Sequence, residues 1–229
     1  MKIIRFDSIP STNDYAKEHA SNGDMIVIAK RQTAGRGTKN RSFDSGEGGL
    51  YITKFNRYDD KKLPPDAFSL MRTVAVAVCK TVEWFGITPA IKWPNDVFVN
   101  GKKICGILIE NTFSGSRLSA SIVGIGLNVN NTLPAELRGI ATTMKEQAKR
   151  EFSVEEVGER LIKNLTQAYS VEEYKKYIFF FGEKVVLLQG EKRREVRALD
   201  VNGQGGLVVE EIDGRITTVS AGEVSLRFN

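Results

Sequence analysis

One histidine and two cysteines stand among the 229 residues, and nowhere do about 18 apolar residues run together. Each scarcity excludes something. With His19 alone, a histidine relay, a His pair and a multi-His metal site are out. Cys79 and Cys105 are too few for a zinc ribbon or a disulfide framework. Their apolar surroundings, VAVCKTV and KICGILI, predict buried, reduced thiols. The start, MKIIRFDSIPST, has no apolar stretch of signal-peptide length, so a soluble cytoplasmic protein without membrane contact is expected.

What is present is ordinary globular composition, 41% hydrophobic and 27% charged, enough for one large unit or a large one with a small one. The formal charge is +5, and it is unevenly spread. Residues 183–229 hold 7 Lys+Arg against 8 Asp+Glu, whereas Lys30, Arg31, Arg36, Lys39 and Arg41 crowd one segment with no acid before Asp44. No aromatic-rich or helix-turn-helix signature accompanies this charge, so no nucleic-acid partner is expected.

Patterning predicts a short strand over 3–6, then a helix to about Ala20 opened by Ser11 and Asp14 in capping-box spacing. Met25 to Ala29 is an unbroken apolar run of the kind buried on both faces of a sheet, and Leu50 to Phe55 resumes as a strand. The polar KKLPPD stretch leads into a largely buried helix, Ala67 to Trp84. Four strands follow, Pro89–Lys92, Val97–Val99, Lys103–Asn111 and Leu118–Asn128, separated by hairpin-type turns, which reads as a meander. Ser153 with Glu156 gives a second capping box before a helix that continues in a further segment to about Phe180. From Glu183 the chain alternates at period two between glycine turns, the signature of a small β-barrel. The expected units are 1–181 and 182–229, the tail docked on the larger one.

Three constellations carry chemistry. In the first, Gly35 and Gly37 interleave with the clustered cations. Glycines let backbone N–H groups approach an anion, and arginine supplies paired donors for carboxylate and phosphate oxygens. Alone, a solvated basic loop accounts for the segment equally well, and it matches neither a P-loop nor a dinucleotide fingerprint. The second is Lys92-Trp93-Pro94-Asn95-Asp96, where Pro94 keeps Trp93 out of helical geometry and sets the polar groups on a fixed turn. Lys103 follows at the border of an apolar strand, where its charge calls for an anion, although a solvated strand-end lysine reads as well. The third is Gly124-Ile125-Gly126-Leu127-Asn128, whose alternating glycines either clear one strand face for a ligand or mark a bulge.

In this order, Ser11-Thr12-Asn13, Gln32 with Gly35-Arg36-Gly37, Gly49-Leu50-Tyr51, Lys92-Trp93-Pro94-Asn95-Asp96, Lys103-Ile104-Cys105-Gly106 and Gly124 to Asn128 closely resemble the biotin–protein ligases. The resemblance spans essentially the whole chain and looks like the short class without an N-terminal winged helix, so repressor activity is not expected. It implies an α+β fold, a mixed sheet flanked by helices like the class II aminoacyl-tRNA synthetases, with a C-terminal SH3-like barrel. It implies biotin and ATP as substrates, Mg2+, and a biotin carboxyl carrier protein whose lysine is the acceptor. The alternatives are a lipoate-type protein ligase of the same superfamily and a non-catalytic biotin or nucleotide sensor. The family includes homodimers built through the central sheet as well as monomers.

Carried over by position, Arg36 would hold the biotin carboxylate and α-phosphate, and Lys103 would stabilise acyl or phosphate oxygens. Lys92 and Arg41 would neutralise the triphosphate and converge with them. Ser11, Thr12, Asn13 and Gln32, with the backbone at Gly35, would take the biotin ring; Gly124 and Gly126 would form a wall beside its tail. Phe43, Asn95, Asp96 and Asn128 would face the nucleotide, and Asp96 would orient or deprotonate the acceptor amine. No metal ligand is assigned. The chain departs from the family's Gly-Arg-Gly-Arg pattern, since Thr38 replaces the second Arg, Asn40 a Gly, and Phe43 a common Trp. The lost charge implies weaker retention of the adenylate.

Overall fold

Alternating and unbroken apolar runs build two sheets in the computed structural model, which describes residues 1–38, 41–59, 65–221 and 225–227. Lys39 and Asn40, and residues 60–64 with most of the KKLPPD stretch, lie outside the described residues. The first sheet joins β1 (Lys2–Ile9), β2 (Met25–Gln32), β3 (Leu50–Arg57), β4 (Ala90–Lys92), β5 (Asp96–Val99), β6 (Lys102–Ser114) and β7 (Arg117–Leu127). Its order is β1-β2-β3-β7-β6-β5-β4. Only β1 and β2 run parallel; β4 to β7 form the expected meander.

Helices cover both faces. On one lies α1 (Thr12–Glu18), whose Ser11 hydroxyl accepts from the Asp14 N–H at 3.2 Å and thus caps the first turn. Ala16 of α1 packs on Met25, Val27, Phe55 and Ile122. On the other lie α2 (Ala67–Trp84), α3 (Met144–Ala148), α4 (Val154–Asn164) and α5 (Val171–Lys175). The capping box expected at Ser153 is half present. Ser153 accepts from the Glu156 N–H, but the reciprocal pairs among the described helices are Thr143 with Glu146 and Ser170 with Glu173. The expected further segment is α5, opened by Ser170, but it ends at Lys175 rather than near Phe180, and Ile178 instead forms a bridge to Ile91 of β4.

From Lys184 the chain forms a five-stranded antiparallel sheet of β8 (Lys184–Gln189), β9 (Lys192–Val201), β10 (Leu207–Glu210), β11 (Ile216–Val219) and β12 (Ser225–Arg227), in the order β11-β10-β9-β8-β12, the small SH3-like unit expected. It does not hang free. One hydrophobic cluster runs from Ile26 and Ile52 through the α2 valines to Leu187, Val196 and Val209. At the seam the Trp93 indole N–H donates to Gly205 O at 2.9 Å, and Lys175 Nζ of α5 to Asp200 Oδ2 of β9 at 3.0 Å. Cys79 and Cys105 are free and fully buried, and burial pushes both thiols up. No helix among the described residues is long and apolar enough to cross a membrane.

Candidate active site

Strand register, rather than sequence proximity, assembles the site. Asp96 pairs with Gly106, Gly106 with Gly126 and Gly126 with Tyr51, so one row of residues crosses β5, β6, β7 and β3. The next rows on that face are Leu108–Gly124–Thr53 and Glu110–Ile122–Phe55. Because side chains alternate along a strand, Val123, Ile125 and Leu127 point into the main core while Gly124 and Gly126 face α1. The α1 face carries the site.

The basic segment folds back as a hairpin-like loop. Gly37 N–H donates to Arg41 O at 2.6 Å, Phe43 N–H to Gly35 O at 2.9 Å, and Gln32 N–H to Ser45 O at 3.0 Å. Thr33 and Ala34 N–H groups bind Ile9 O and Pro10 O, tying this loop to the turn before α1. A cavity of about 40 Å3 lies beneath, lined by Ser11, Thr12, Asn13, Gln32, Arg36, Phe43, Asn95, Asp96, Lys103, Gly124 and Gly126 among the expected residues. Gly37, Thr38, Gly106, Ile107, Leu108 and Ile125 complete it. Small-molecule pockets run to about 300 Å3 and more, so little of this one is free space.

Aromatic and amide groups close it. A Cβ at Gly126 would stand 2.5 Å from the Phe43 ring and one at Gly106 3.0 Å from it, while one at Gly124 would strike the Asn13 amide. The face cleared by the glycines is therefore filled by Phe43 and Asn13. A continuous hydrogen-bonded chain holds the polar end. Gln32 accepts from the Thr12 N–H and hydroxyl at 2.8 and 3.0 Å and donates to Ser45 Oγ at 2.9 Å. The Thr53 hydroxyl lies 2.8 Å from Thr12 Oγ1 and 2.6 Å from Asn13 Oδ1.

Both cations in the cavity are paired. The Arg36 guanidinium spans Asp14 and Glu110, with Glu110 Oε1 at 2.7 Å, and these carboxylates, Glu110 foremost, hold its pKa above the usual arginine value. Lys103 Nζ lies 2.6 Å from Asp96 Oδ1. The Lys103 backbone is clamped by Ile140 O and the Thr142 N–H, so the segment before α3 fixes its start. Asn95 donates to Ile107 O at 2.8 Å. Among the described residues no three His, Cys, Asp or Glu side chains gather as a metal cage.

Three expected residues stand elsewhere, and Gly35 is a neighbour rather than a lining residue. Lys92 pairs in register with Asp96, yet its ammonium lies over the Phe98 ring, 5.4 Å from the centroid, so it does not converge with Arg36 and Lys103. Arg41 turns back on its own loop, donating to Thr38 O at 3.1 Å and Thr38 Oγ1 at 2.8 Å. Asn128 follows the end of β7 and is spent on structure, donating to Thr142 O at 3.1 Å and accepting from Asn131 at 3.2 Å. At Gly35 a Cβ would stand 2.5 Å from Phe43 O, so only glycine lets the loop close there. Glu110 was missed, although an acid sharing the strand face of Gly106 in an apolar strand is a readable signal.

Comparison with known proteins follows this geometry. Residues 5–128 match the Biotin/lipoate A/B protein ligase family model. The chain is 40% identical over 153 residues to the "Bifunctional ligase/repressor BirA" of Bacillus subtilis, covering 64% of this chain and 47% of that protein. Thus it spans about half the length of that curated relative. It is 30% identical over 234 residues to the "Biotin--[acetyl-CoA-carboxylase] ligase" of Mycobacterium tuberculosis, covering 93% and 85% of the two chains. The solved biotin protein ligase from Aquifex aeolicus, in complex with biotin and ATP, superposes with a TM-score of 0.85 at 29% identity, covering 100% of this chain and 99% of that one.

Proposed function

We propose that this chain, which belongs to the Biotin/lipoate A/B protein ligase family, is an ATP-dependent ligase that makes biotinyl-5′-AMP and passes the biotinyl group to a carrier-protein lysine. The observation that carries this reading is the meeting of Arg36, Lys103 and Asp96 with Ser11, Thr12 and Gln32 at one cavity.

The first step needs no protein nucleophile. A biotin carboxylate oxygen attacks the α-phosphorus of ATP, the bond to the bridging oxygen breaks, and pyrophosphate leaves. Arg36 holds the carboxylate and α-phosphate in line, and Lys103 offsets charge developing on the same oxygens, so rate comes from positioning and fixed charge. Ser11, Thr12, Asn13 and Gln32 supply donors and acceptors for the ureido ring, and the Gly124 and Gly126 strand walls the biotin tail on the face where Phe43 packs. Asn95, Asp96 and Phe43 face the nucleotide. In the second step the lysine nitrogen attacks the acyl carbon and AMP departs. An ammonium of pKa about 10.4 must first lose its proton, and Asp96 orients or accepts it.

Magnesium, if bound with the nucleotide, would offset phosphate charge; the described residues gather no protein cage for it, so it would rely chiefly on the substrate. The acceptor is a lysine of a biotin carboxyl carrier protein, the ligation unit is 1–181 with 182–229 as the small docked barrel, and the buried thiols suit the cytoplasm. Biotin-dependent ATP–pyrophosphate exchange, followed by mass spectrometry of a carrier domain, tests the reading. Exchange and a biotinyl mass gain are expected; exchange driven by lipoate instead of biotin, or no mass gain beside an active control ligase, overturns it.

A further inference from the structure

We propose that Glu110 is a positioning residue that aims Arg36 at the carboxylate of the acid substrate; the inference rests on the biotin-ligase reading above. Glu110 touches two of the residues assigned to the substrate. Its Oε1 accepts from Arg36 Nη2 at 2.7 Å and its Oε2 from Asn13 Nδ2 at 2.9 Å. Asn13 is itself fixed, because its Oδ1 accepts from the Thr53 hydroxyl at 2.6 Å. The carboxylate is thus anchored to the rigid sheet on one side and grips the loop arginine on the other.

The second partner of Arg36 differs in kind. Asp14 sits in the first turn of α1 with its side chain 42% exposed, whereas the Glu110 side chain is 26% exposed and set in β6. An entering anion competes for the guanidinium, and it displaces the better hydrated, singly held carboxylate first. Arg36 then keeps the Glu110 bond as its fixed support while the substrate takes the place of Asp14. Without Glu110, Asp14 in the first turn of α1 is the carboxylate left to direct the guanidinium, and the support from β6 is lost.

The test compares biotin with biotinol, which carries an alcohol where biotin has its carboxylate, by calorimetric titration in the absence of ATP. Wild type prefers biotin. Glu110→Gln weakens biotin about tenfold and leaves biotinol within about twofold, because only the charged tail reads Arg36. Asp14→Asn does not weaken biotin. Arg36→Gln sets the floor, and adding Glu110→Gln to it lowers biotin affinity no further. Should Glu110→Gln fail to fold, Glu110→Asp, which keeps the charge but loses a methylene of reach, shows the same selective loss. Equal losses for both ligands, an unchanged biotin preference in Glu110→Gln, or a loss as large in Asp14→Asn overturns the inference. A wild-type protein that binds neither ligand overturns the functional reading as well, so the two failures are distinct.

Discussion

A methyl group added at Gly126 isolates the role of Phe43. Gly126 lies within β7, flanked in register by Gly106 and Tyr51, and the three nearest atoms to a new Cβ all belong to the Phe43 ring, at 2.5, 2.7 and 3.0 Å. Two terms then oppose each other. Replacing glycine inside a strand favours the folded state by about 0.5–1 kcal/mol through lost unfolded-state freedom. Overpacking costs about 1–3 kcal/mol, since the ring must leave its contacts with Gly106 and Tyr51. Gly126→Ala alone is therefore expected to destabilise by up to about 2.5 kcal/mol. In a Phe43→Ala background the clash is gone, and the same substitution is expected to stabilise by about 0.5–1 kcal/mol. Urea denaturation of the four proteins closes the cycle. A coupling below about 0.5 kcal/mol, with the same sign in both backgrounds, refutes the claim that Phe43 fills the space the glycine clears.

Other expectations follow from single contacts. Thr38→Arg adds the charge that the family resemblance implies at this place and removes the hydroxyl that Arg41 binds; slower release of biotinyl-adenylate in a filter-binding assay is expected, and equal off-rates refute the weak-retention reading. Trp93→Phe removes the donor to Gly205 O from a side chain 2% exposed, and costs at least about 2 kcal/mol in urea denaturation. A cost below about 1 kcal/mol denies that this bond fastens the C-terminal sheet. Cys79 and Cys105 have thiol pKa values raised in the fold, so the native state keeps them neutral while unfolded thiols ionise near pH 9.0. The sign is a stability fully present below that pH and lost above it, by up to about 1.4 kcal/mol per pH unit for each thiol. Stability that is flat from pH 8 to 10, or fast reaction of both thiols with Ellman's reagent at neutral pH, contradicts this.

The elements that could be read from sequence are those whose own residues decide them. The helix from Ala67 to Trp84 has the bounds expected, because a long apolar helix after a polar, proline-containing stretch has no competing pattern. The strands of the meander were legible from hairpin turns between apolar runs. The helix Met144–Ala148 was not, because five residues carry no periodicity, although Thr143 and Glu146 had the spacing of a capping box. The site was legible as a set of motifs and illegible as a row. That Asp96, Gly106, Gly126 and Tyr51 lie side by side follows from pairing between four strands, and pairing is not written in any one of them. Lys92 and Arg41 show the converse. Position in a basic motif does not say which way a flexible side chain turns, and here one turns to Phe98 and the other to Thr38.

The charge surplus consequently has a different meaning at the cavity than in the sequence. Among the described residues the cations there are Arg36 and Lys103, and the acids that touch them are Asp14, Glu110 and Asp96. These form a set of ion pairs with one carboxylate in excess, rather than a basic funnel. Close pairing positions both cations and sets a carboxylate between each and an incoming anion. A ligand gains little from the net field and must instead reproduce the geometry of the carboxylate it displaces. A planar carboxylate on a flexible tail can do so at Arg36, and a phosphate oxygen can do so at Lys103 beside Asp96. Selectivity then comes from exchange of one acid for another, with the sheet-anchored carboxylate as the fixed reference.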